Sequence, residues 1–192
     1  MKLLREIYDH DCQLKTHCGY EEGAKPKGGD EQVQQDLGSL EHPEVLYKVR
    51  KASRAILQRS SGQIAVLYVS KDNYHKLPGG GVEVNEDLQV ALARELIEEV
   101  GVEAQVHGEI GMIIEYRNAY NLLQISYCYH ATVSGDMQEP AFTEDEINDG
   151  FALEWMEPRD ALNLIKIEKP LSYTGRFIRE RDMTFLTAFQ NK

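Results

Sequence analysis

Two parts of the chain predict pairs of β-strands, the first by runs of apolar residues and the second by alternating apolar and polar residues. Residues 55–57 and 64–69 are apolar and β-branched, and Ser60-Ser61-Gly62 lies between them as a turn sequence. We therefore predict a β-hairpin that enters the core. Residues 110–115 and 122–133 alternate over longer stretches and predict a second hairpin.

The segment after the first hairpin changes from a strand pattern to a helical one. Leu77-Pro78-Gly79-Gly80-Gly81 interrupts the strand pattern. Apolar residues at helical spacing then predict a helix over about residues 86–100, in which Asn85 caps the start and acidic residues occupy the first turn. Gly101 stands where a left-handed helix stop is expected. Both ends of this helix are therefore marked in the sequence.

After the second hairpin, the sequence predicts a loop, a strand and two helices. The acidic stretch at residues 143–150 is typical of a loop, and residues 151–156 are typical of a strand. Pro158 favours the first turn of a helix that continues to about residue 165, and residues 173–189 have a helical apolar pattern. No internal repeat is present in the sequence.

The N-terminal part of the chain differs in amino-acid composition from the rest. Residues 2–8 are strand-like or helical, whereas residues 19–43 are rich in Gly, Gln, Glu, Asp and Lys and predict a loop or mobile extension. At 192 residues, the chain has the length of one domain with additions. We therefore expect an N-terminal segment, 1–44, and one folded domain with a C-terminal helix, 45–192.

The charge balance restricts the class of partner. The formal net charge is -11, from 32 acidic and 21 basic residues, which disfavours binding to the backbone of polymeric nucleic acid. A small anionic substrate remains compatible with this charge if metal cations bridge its phosphates to acidic side chains.

Cysteine usage and the N-terminus favour a cytoplasmic protein. Cys12, Cys18 and Cys128 are an odd number without paired spacing, so a disulfide framework is not expected. The N-terminus reaches charged residues too early for a secretory signal, and no apolar run approaches membrane-spanning length. His10, Cys12, His17 and Cys18 are a less favoured zinc site, because their spacing fits no common tetrahedral pattern.

One helix face carries three carboxylates that need a partner. Glu95, Glu98 and Glu99 are separated by three and four positions, so their side chains share a face of the predicted helix. Such crowding is unfavourable unless cations neutralise it, and clustered oxygen ligands suit Mg²⁺ or Mn²⁺. An adjoining apolar arc allows the helix to pack on a sheet while the acids face a cleft; it consists of Leu92, Leu96 and Val100.

The residues next to these acids complete a longer motif. The glycines at 79–81 allow backbone groups to approach a metal or a phosphate closely. Arg94 follows Glu86 by eight positions, about two helical turns, so spacing alone leaves their pairing open. The whole segment, residues 80–102, resembles the Nudix box, Gly-x5-Glu-x7-Arg-Glu-aliphatic-x-Glu-Glu-x-Gly-aliphatic, at every defined position.

The resemblance implies a fold, a metal site and a reaction. Members of the Nudix family are α+β proteins with an α/β/α sandwich around a mixed β-sheet, and they hydrolyse nucleoside diphosphates linked to another moiety. By resemblance, Mg²⁺ or Mn²⁺ is held by Glu95, Glu98, Glu99 and the Gly79 carbonyl. The pair of supporting positions corresponds to Glu86 and Arg94.

A general base is also expected, and many family members supply it from a loop outside the box. Glu144 and Glu146, shortly before the strand at 151–156, are the candidates beside the box residues Glu95 and Glu98. Glu115 or Glu98 itself is the alternative base. The predicted substrate is a small nucleotide: a nucleoside triphosphate, a nucleotide sugar or a dinucleotide.

Two other functions remain compatible with this fold. One is a non-catalytic module that senses nucleotides, although the intact set of glutamates counts against it. The other is an isomerase, for which Cys128 is the only candidate catalytic cysteine in the predicted core. A homodimer is also compatible with the sequence, since the tail helix can contribute to an interface.

Overall fold

A computed structural model describes residues 1–8 and 46–191 of the chain. The hypothesis of a zinc site at His10, Cys12, His17 and Cys18, and the prediction of a mobile extension at 19–43, lie outside the described residues. The proposed division at residue 45 therefore stays a prediction. No helix in the described part of the chain is both long and apolar enough to cross a membrane.

Eight strands and four α-helices make up the described fold. The strands are β1 (Leu3–Tyr8), β2 (Lys48–Gln58), β3 (Ile64–Val69), β4 (Tyr74–Lys76), β5 (Gly79–Gly81), β6 (Glu103–Arg117), β7 (Leu122–Ser134) and β8 (Phe151–Met156). The helices are α1 (Leu88–Val100), α2 (Glu144–Asn148), α3 (Pro158–Ile167) and α4 (Tyr173–Gln190). Both hairpins, the strand β8 and the two C-terminal helices were expected from the sequence, and the structure confirms them.

The strands form one mixed sheet in the order β1-β6-β7-β2-β3-β4, with β5 paired to β2 and β8 paired to β3. The pairs β1–β6 and β2–β7 are parallel, and the others are antiparallel. Long strand β2 is central, because β7 lies along one edge and the short strand β5 lies along part of the other. This arrangement places the glycines of β5 directly beside the middle of the sheet.

Helices cover both faces of the sheet. On one face, Leu92, Leu96 and Val100 of α1 pack with Ala55 and Leu57 of β2. On the other face, residues of α3 and α4 pack on apolar residues of β2, β3 and β6; they include Ala161, Ile165, Phe177, Phe185 and Leu186. The predicted α/β/α sandwich with a mixed sheet is therefore confirmed.

The start of α1 differs from the prediction. Asp87, not Asn85, is the N-cap: its side chain accepts hydrogen bonds from the backbone N–H groups of Gln89 and Val90, each at 2.8 Å. Asn85 instead adopts the left-handed conformation, with φ 66°, in the preceding turn. The helix consequently begins at Leu88, and its C-cap Gly101 has the expected left-handed conformation, with φ 73°.

Two segments predicted as irregular have regular structure. Gly79–Gly81 forms the strand β5 and pairs with residues 52–54 of β2 instead of only ending the preceding strand. The predicted loop at 143–150 contains the short helix α2, which begins with a capping box between Thr143 and Glu146. The acidic residues taken as a loop signal were therefore also the favourable charges of a helix first turn.

Candidate active site

Arg94, in the middle of α1, is the centre of a hydrogen-bonded cluster. Its guanidinium donates to both carboxylate oxygens of Glu86 (3.0 and 3.1 Å) and to the Gly81 carbonyl at 3.0 Å. The same group reaches Glu95 at 2.9 Å and Glu98 at 3.1 Å. The hydrogen bond from Arg94 lowers the pKa of Glu86. The pairing of Glu86 with Arg94, which spacing left open, is therefore present.

Glu95 lies against the glycine strand. A Cβ atom placed on Gly80 would overlap the carboxylate of Glu95, so any other residue at this position would displace that side chain. Glu95 is also largely buried, at 9% exposure. The glycine at the first position of the motif thus gives the carboxylate its place next to the backbone of β5.

Glu99 has a different cationic partner from Glu95 and Glu98, although it also lies against the glycine strand. It is buried, and its two oxygens accept hydrogen bonds at 2.6 Å from Lys76 Nζ and from the backbone N–H of Gly79. Burial raises the pKa of Glu99, while the charges of Lys76 and Arg54 oppose that rise. Lys76 is itself buried, so the ion pair joins β4 to α1 in the interior of the protein.

The structure brings together two of the predicted metal ligands, Glu95 and Glu98, but pairs the third, Glu99, with Lys76. Glu95 and Glu98 both contact the same nitrogen, Nη1 of Arg94, so their oxygens already converge on one positive charge. Among residues 1–8 and 46–191, no three acidic, histidine or cysteine side chains converge in a way that fits a metal ion. Glu99 is paired with Lys76 instead of with Arg94. The donor chemistry of this site, carboxylate oxygens beside glycine backbone, fits Mg²⁺ or Mn²⁺.

The two predicted bases of the loop region differ in their contacts. The chain before α2 is bound to the end of α1, because the N–H of Ala141 donates to the Glu98 carbonyl at 2.7 Å. Glu146 is held by the capping box, where its carboxylate accepts from the N–H and the hydroxyl of Thr143 at 2.9 and 3.0 Å. Glu144 is exposed in the first turn of α2. The segment that precedes both candidates therefore contacts the helix that bears the box.

The alternative residues Glu115 and Cys128 lie in the interior. Glu115 is fully buried, with one oxygen bound to Arg117 at 2.7 Å and the other without a hydrogen-bond partner in the described part of the chain. The thiol of Cys128 is also fully buried, and burial raises its pKa. A buried thiol of this kind is poorly suited to the isomerase hypothesis.

Sequence reasoning missed several charged residues next to the motif. Lys76 precedes Leu77-Pro78-Gly79, and Arg54 lies in an otherwise apolar part of β2, yet both are buried near Glu99. The three-residue strand β4 was too short to show an alternating pattern. For Arg54, the available signal of a buried charge was an arginine within an apolar strand sequence. Its neighbours at 52, 55 and 56 are fully buried in the core.

Comparisons with known proteins match the part of the chain that contains this site. The family model described as NUDIX domain matches residues 48–176. Diphosphoinositol polyphosphate phosphohydrolase 2 of Rattus norvegicus is 31% identical over 125 residues, a match that covers 64% of this chain and 66% of that protein. The chain therefore spans just under two thirds of the length of this relative.

Two solved structures share the fold. The solution structure of the E. coli ORF135 protein has a TM-score of 0.53 and 24% sequence identity, and the match covers 76% of this chain and 91% of that chain. A NUDIX hydrolase from Nitrosomonas europaea has a TM-score of 0.58 and 11% identity, covering 75% and 90%. Because the family model includes the helix with the complete glutamate motif and most of the sheet that supports it, the chain belongs to the Nudix family.

Proposed function

We propose that this chain is a Nudix hydrolase that uses Mg²⁺ or Mn²⁺ to cleave a phosphoanhydride bond of a nucleoside diphosphate linked to another moiety. The observation that carries the proposal is the convergence of Glu95 and Glu98 on one cationic nitrogen of Arg94, beside the glycine strand. The names of the related phosphohydrolases support the same type of reaction.

Glu95 and Glu98 are the residues that would hold the ion, together with the Gly79 carbonyl and, after release of Lys76, Glu99. When bound there, Mg²⁺ or Mn²⁺ supplies positive charge for the phosphate oxygens and favours deprotonation of water. Arg94 keeps the carboxylates of Glu86, Glu95 and Glu98 in one place.

The chain also supplies candidates for proton transfer. We assign Glu144 as the first candidate for the general base, because its carboxylate is exposed and is not part of the capping box. In this scheme Glu144 accepts the proton of the attacking water, the new P–O bond forms, and the anhydride P–O bond breaks. Glu146, Glu98 and Glu115 are the other candidates, and Glu98 retains 38% side-chain exposure.

The nature of the group attached to the diphosphate belongs to the same proposal. The net charge of -11 supports a small substrate over polymeric nucleic acid. The related rat protein is named for diphosphoinositol polyphosphate, so that class of anhydride joins nucleoside triphosphates, nucleotide sugars and dinucleotides in the set to be tested.

The test is turnover of this set of compounds with Mg²⁺ or Mn²⁺ and with a chelator. We expect metal-dependent hydrolysis of at least one compound, and about a hundredfold or greater loss of kcat in Glu98→Gln. Glu103→Gln is the matched control, because Glu103 is an exposed carboxylate just after α1. Binding without turnover in the parent protein would instead identify a nucleotide-sensing module.

A further inference from the structure

The sheet face covered by α4 contains buried arginines close to the glycine strand. Arg54 and Arg117 are each 5% exposed, and Arg181 is fully buried. Arg50 lies on the same face of β2 as Arg54, since alternate strand residues point to the same side. Mutual electrostatic interactions connect Arg50 with Arg117 and Arg181, and Arg54 with Arg181. We call these four residues the arginine cluster: Arg50, Arg54, Arg117 and Arg181.

Two arginines of this cluster form direct ion pairs with carboxylates. Arg181 binds Asp182 through two hydrogen bonds of 2.7 and 2.9 Å, and Arg117 binds Glu115 at 2.7 Å. Arg54 has no salt bridge to a residue that the structure describes. Arg54 interacts with Glu99 and Glu95 only at longer range, so it is a buried arginine without a direct carboxylate partner among the described residues.

Several buried N–H groups of the cluster lack an acceptor. Nε and Nη1 of Arg54, Nε of Arg117 and Nη1 of Arg181 make no hydrogen bond to any described residue. An unpaired buried donor is unfavourable, and the penalty is larger for a charged group. Burial, together with the charge of Arg181, lowers the pKa of Arg54 to about 10, so this side chain is still positively charged at neutral pH.

Arg50 connects this interior charge with the surface next to the motif. It is exposed, and its guanidinium donates to Gln124 Oε1 at 2.8 Å. A Cβ atom on Gly81 would lie 2.6 Å from Nη2 of Arg50, so the guanidinium rests against the glycine strand. Arg50 also interacts electrostatically with Glu95. Arg50 is therefore the accessible member of the cluster and lies beside the proposed active site.

We propose that the arginine cluster binds an anionic group of the substrate, a phosphate or its equivalent, other than the phosphate at which the anhydride is cleaved. Unsatisfied N–H donors of buried arginines and an exposed arginine beside the glycine strand together define an anion subsite. The inference rests on the proposed hydrolase function for its statement about substrate. The substrate class is then an anhydride that carries at least one additional phosphate.

The first experiment measures anion binding without any reaction. Inorganic phosphate is titrated calorimetrically into the full chain in the presence of EDTA, so that binding cannot depend on a divalent metal. We expect binding that weakens about tenfold or more in Arg50→Gln. Lys51→Gln is the matched control, because Lys51 is the neighbouring exposed cation on the opposite face of β2, and it should bind as the parent does.

Absence of phosphate binding by the parent protein, or equal weakening in Arg50→Gln and Lys51→Gln, would overturn the subsite. Arg54→Lys provides a second variant, since it retains a cationic side chain but replaces the guanidinium, with its unpaired Nε and Nη1, by an ammonium that cannot bind phosphate in the same bidentate way. Thermal unfolding verifies that each variant is folded. We expect weaker phosphate binding by folded Arg54→Lys, whereas unchanged binding would exclude the interior arginines from the site.

The second experiment separates the additional phosphate from the cleaved one. Pairs of anhydrides that differ by one phosphate, such as NADPH and NADH or coenzyme A and its dephospho form, are compared by kcat/KM. We expect the preference for the more phosphorylated member to fall in Arg50→Gln and to persist in Lys51→Gln. Equal loss for both members would assign Arg50 to the cleaved phosphate and contradict the proposal. Failure of hydrolysis altogether would contradict the proposed function, whereas metal-free phosphate binding would still stand.

Discussion

Each glutamate of the motif has a cationic partner supplied by the chain itself. Arg94 contacts Glu86, Glu95 and Glu98, and Lys76 contacts Glu99. These contacts offset the repulsion between carboxylates that are three and four positions apart on one helix. They also divide the acids into two groups, because Glu99 is paired with Lys76 of β4 while Glu86, Glu95 and Glu98 share Arg94.

The two candidates in α2 can be separated by matched substitutions. We expect Glu144→Gln to lower kcat about a hundredfold or more, since it removes the proposed proton acceptor. Glu146→Gln should retain most of kcat but lower Tm by a few degrees, because it weakens the capping box with Thr143. Steady-state kinetics and thermal unfolding measure both effects. A large loss of kcat only in Glu146→Gln would reverse the assignment.

His75 gives the fold a pH-dependent contact. Burial disfavours its charge, but the hydrogen bond to Glu168 and the charges of Glu168 and Glu154 outweigh burial and raise the pKa of His75. The charged contact therefore contributes its full stability below the unfolded pKa of about 6.5, and this contribution is lost as pH rises through the folded pKa.

Removal of the partner carboxylate tests this pH dependence. We expect Glu168→Gln to lower the free energy of unfolding by about 1.5–3 kcal/mol in mildly acidic solution, and by less above the folded pKa of His75. Urea unfolding at a series of pH values provides the measurement. Glu157→Gln, at an exposed position just before α3, is the control. A difference between parent and Glu168→Gln that does not change with pH would contradict the account.

At the level of elements, α1 was the most predictable part of the fold. Its apolar arc and Gly101 indicated the helix and its end, and the motif indicated the face that carries the acids. Its start was predicted two residues too early because Asn85, Glu86 and Asp87 are all polar residues that suit a helix N-terminus. The extended conformation of Asp87 and the left-handed conformation of Asn85 decide between them, and neither is visible in the sequence.

The observed cap leads to a test of the helix boundary. Asp87→Ala should lower the free energy of unfolding by about 1 kcal/mol, because two N–H groups of the first turn lose their acceptor. Asp87→Asn retains a side-chain oxygen and should remain close to the parent. Equal stability of Asp87→Ala and the parent in urea would show that Asp87 does not cap α1.

At the scale of the whole molecule, the sequence predicted the layers but not the polar interior. Periodic apolar residues indicated the individual strands and helices, and the resemblance of residues 80–102 to the Nudix box implied the α/β/α sandwich. The arginine cluster could not be inferred, since it combines residues of β2, β6 and α4 that are far apart in the chain. Glu115 and Arg117 lie in β6, and Arg181 and Asp182 lie in α4. The apolar pattern of these elements does not indicate that the charged residues are buried or that they form ion pairs.

The predicted homodimer belongs to the same scale and stays a prediction. The described residues include exposed apolar side chains, among them Leu46 and Val49 at the start of β2. Isolated exposed apolar residues are common on monomeric proteins and do not define an interface. All residues of the proposed active site belong to one chain.

A crystal structure of the full chain with Mn²⁺ and a non-hydrolysable substrate analogue tests the central claim most directly. We predict an anomalous scattering peak within about 2–2.5 Å of carboxylate oxygens of Glu95 and Glu98, with the phosphates of the analogue on the same ion. A structure in which the analogue is bound but both carboxylates remain on Arg94 without manganese would contradict the account.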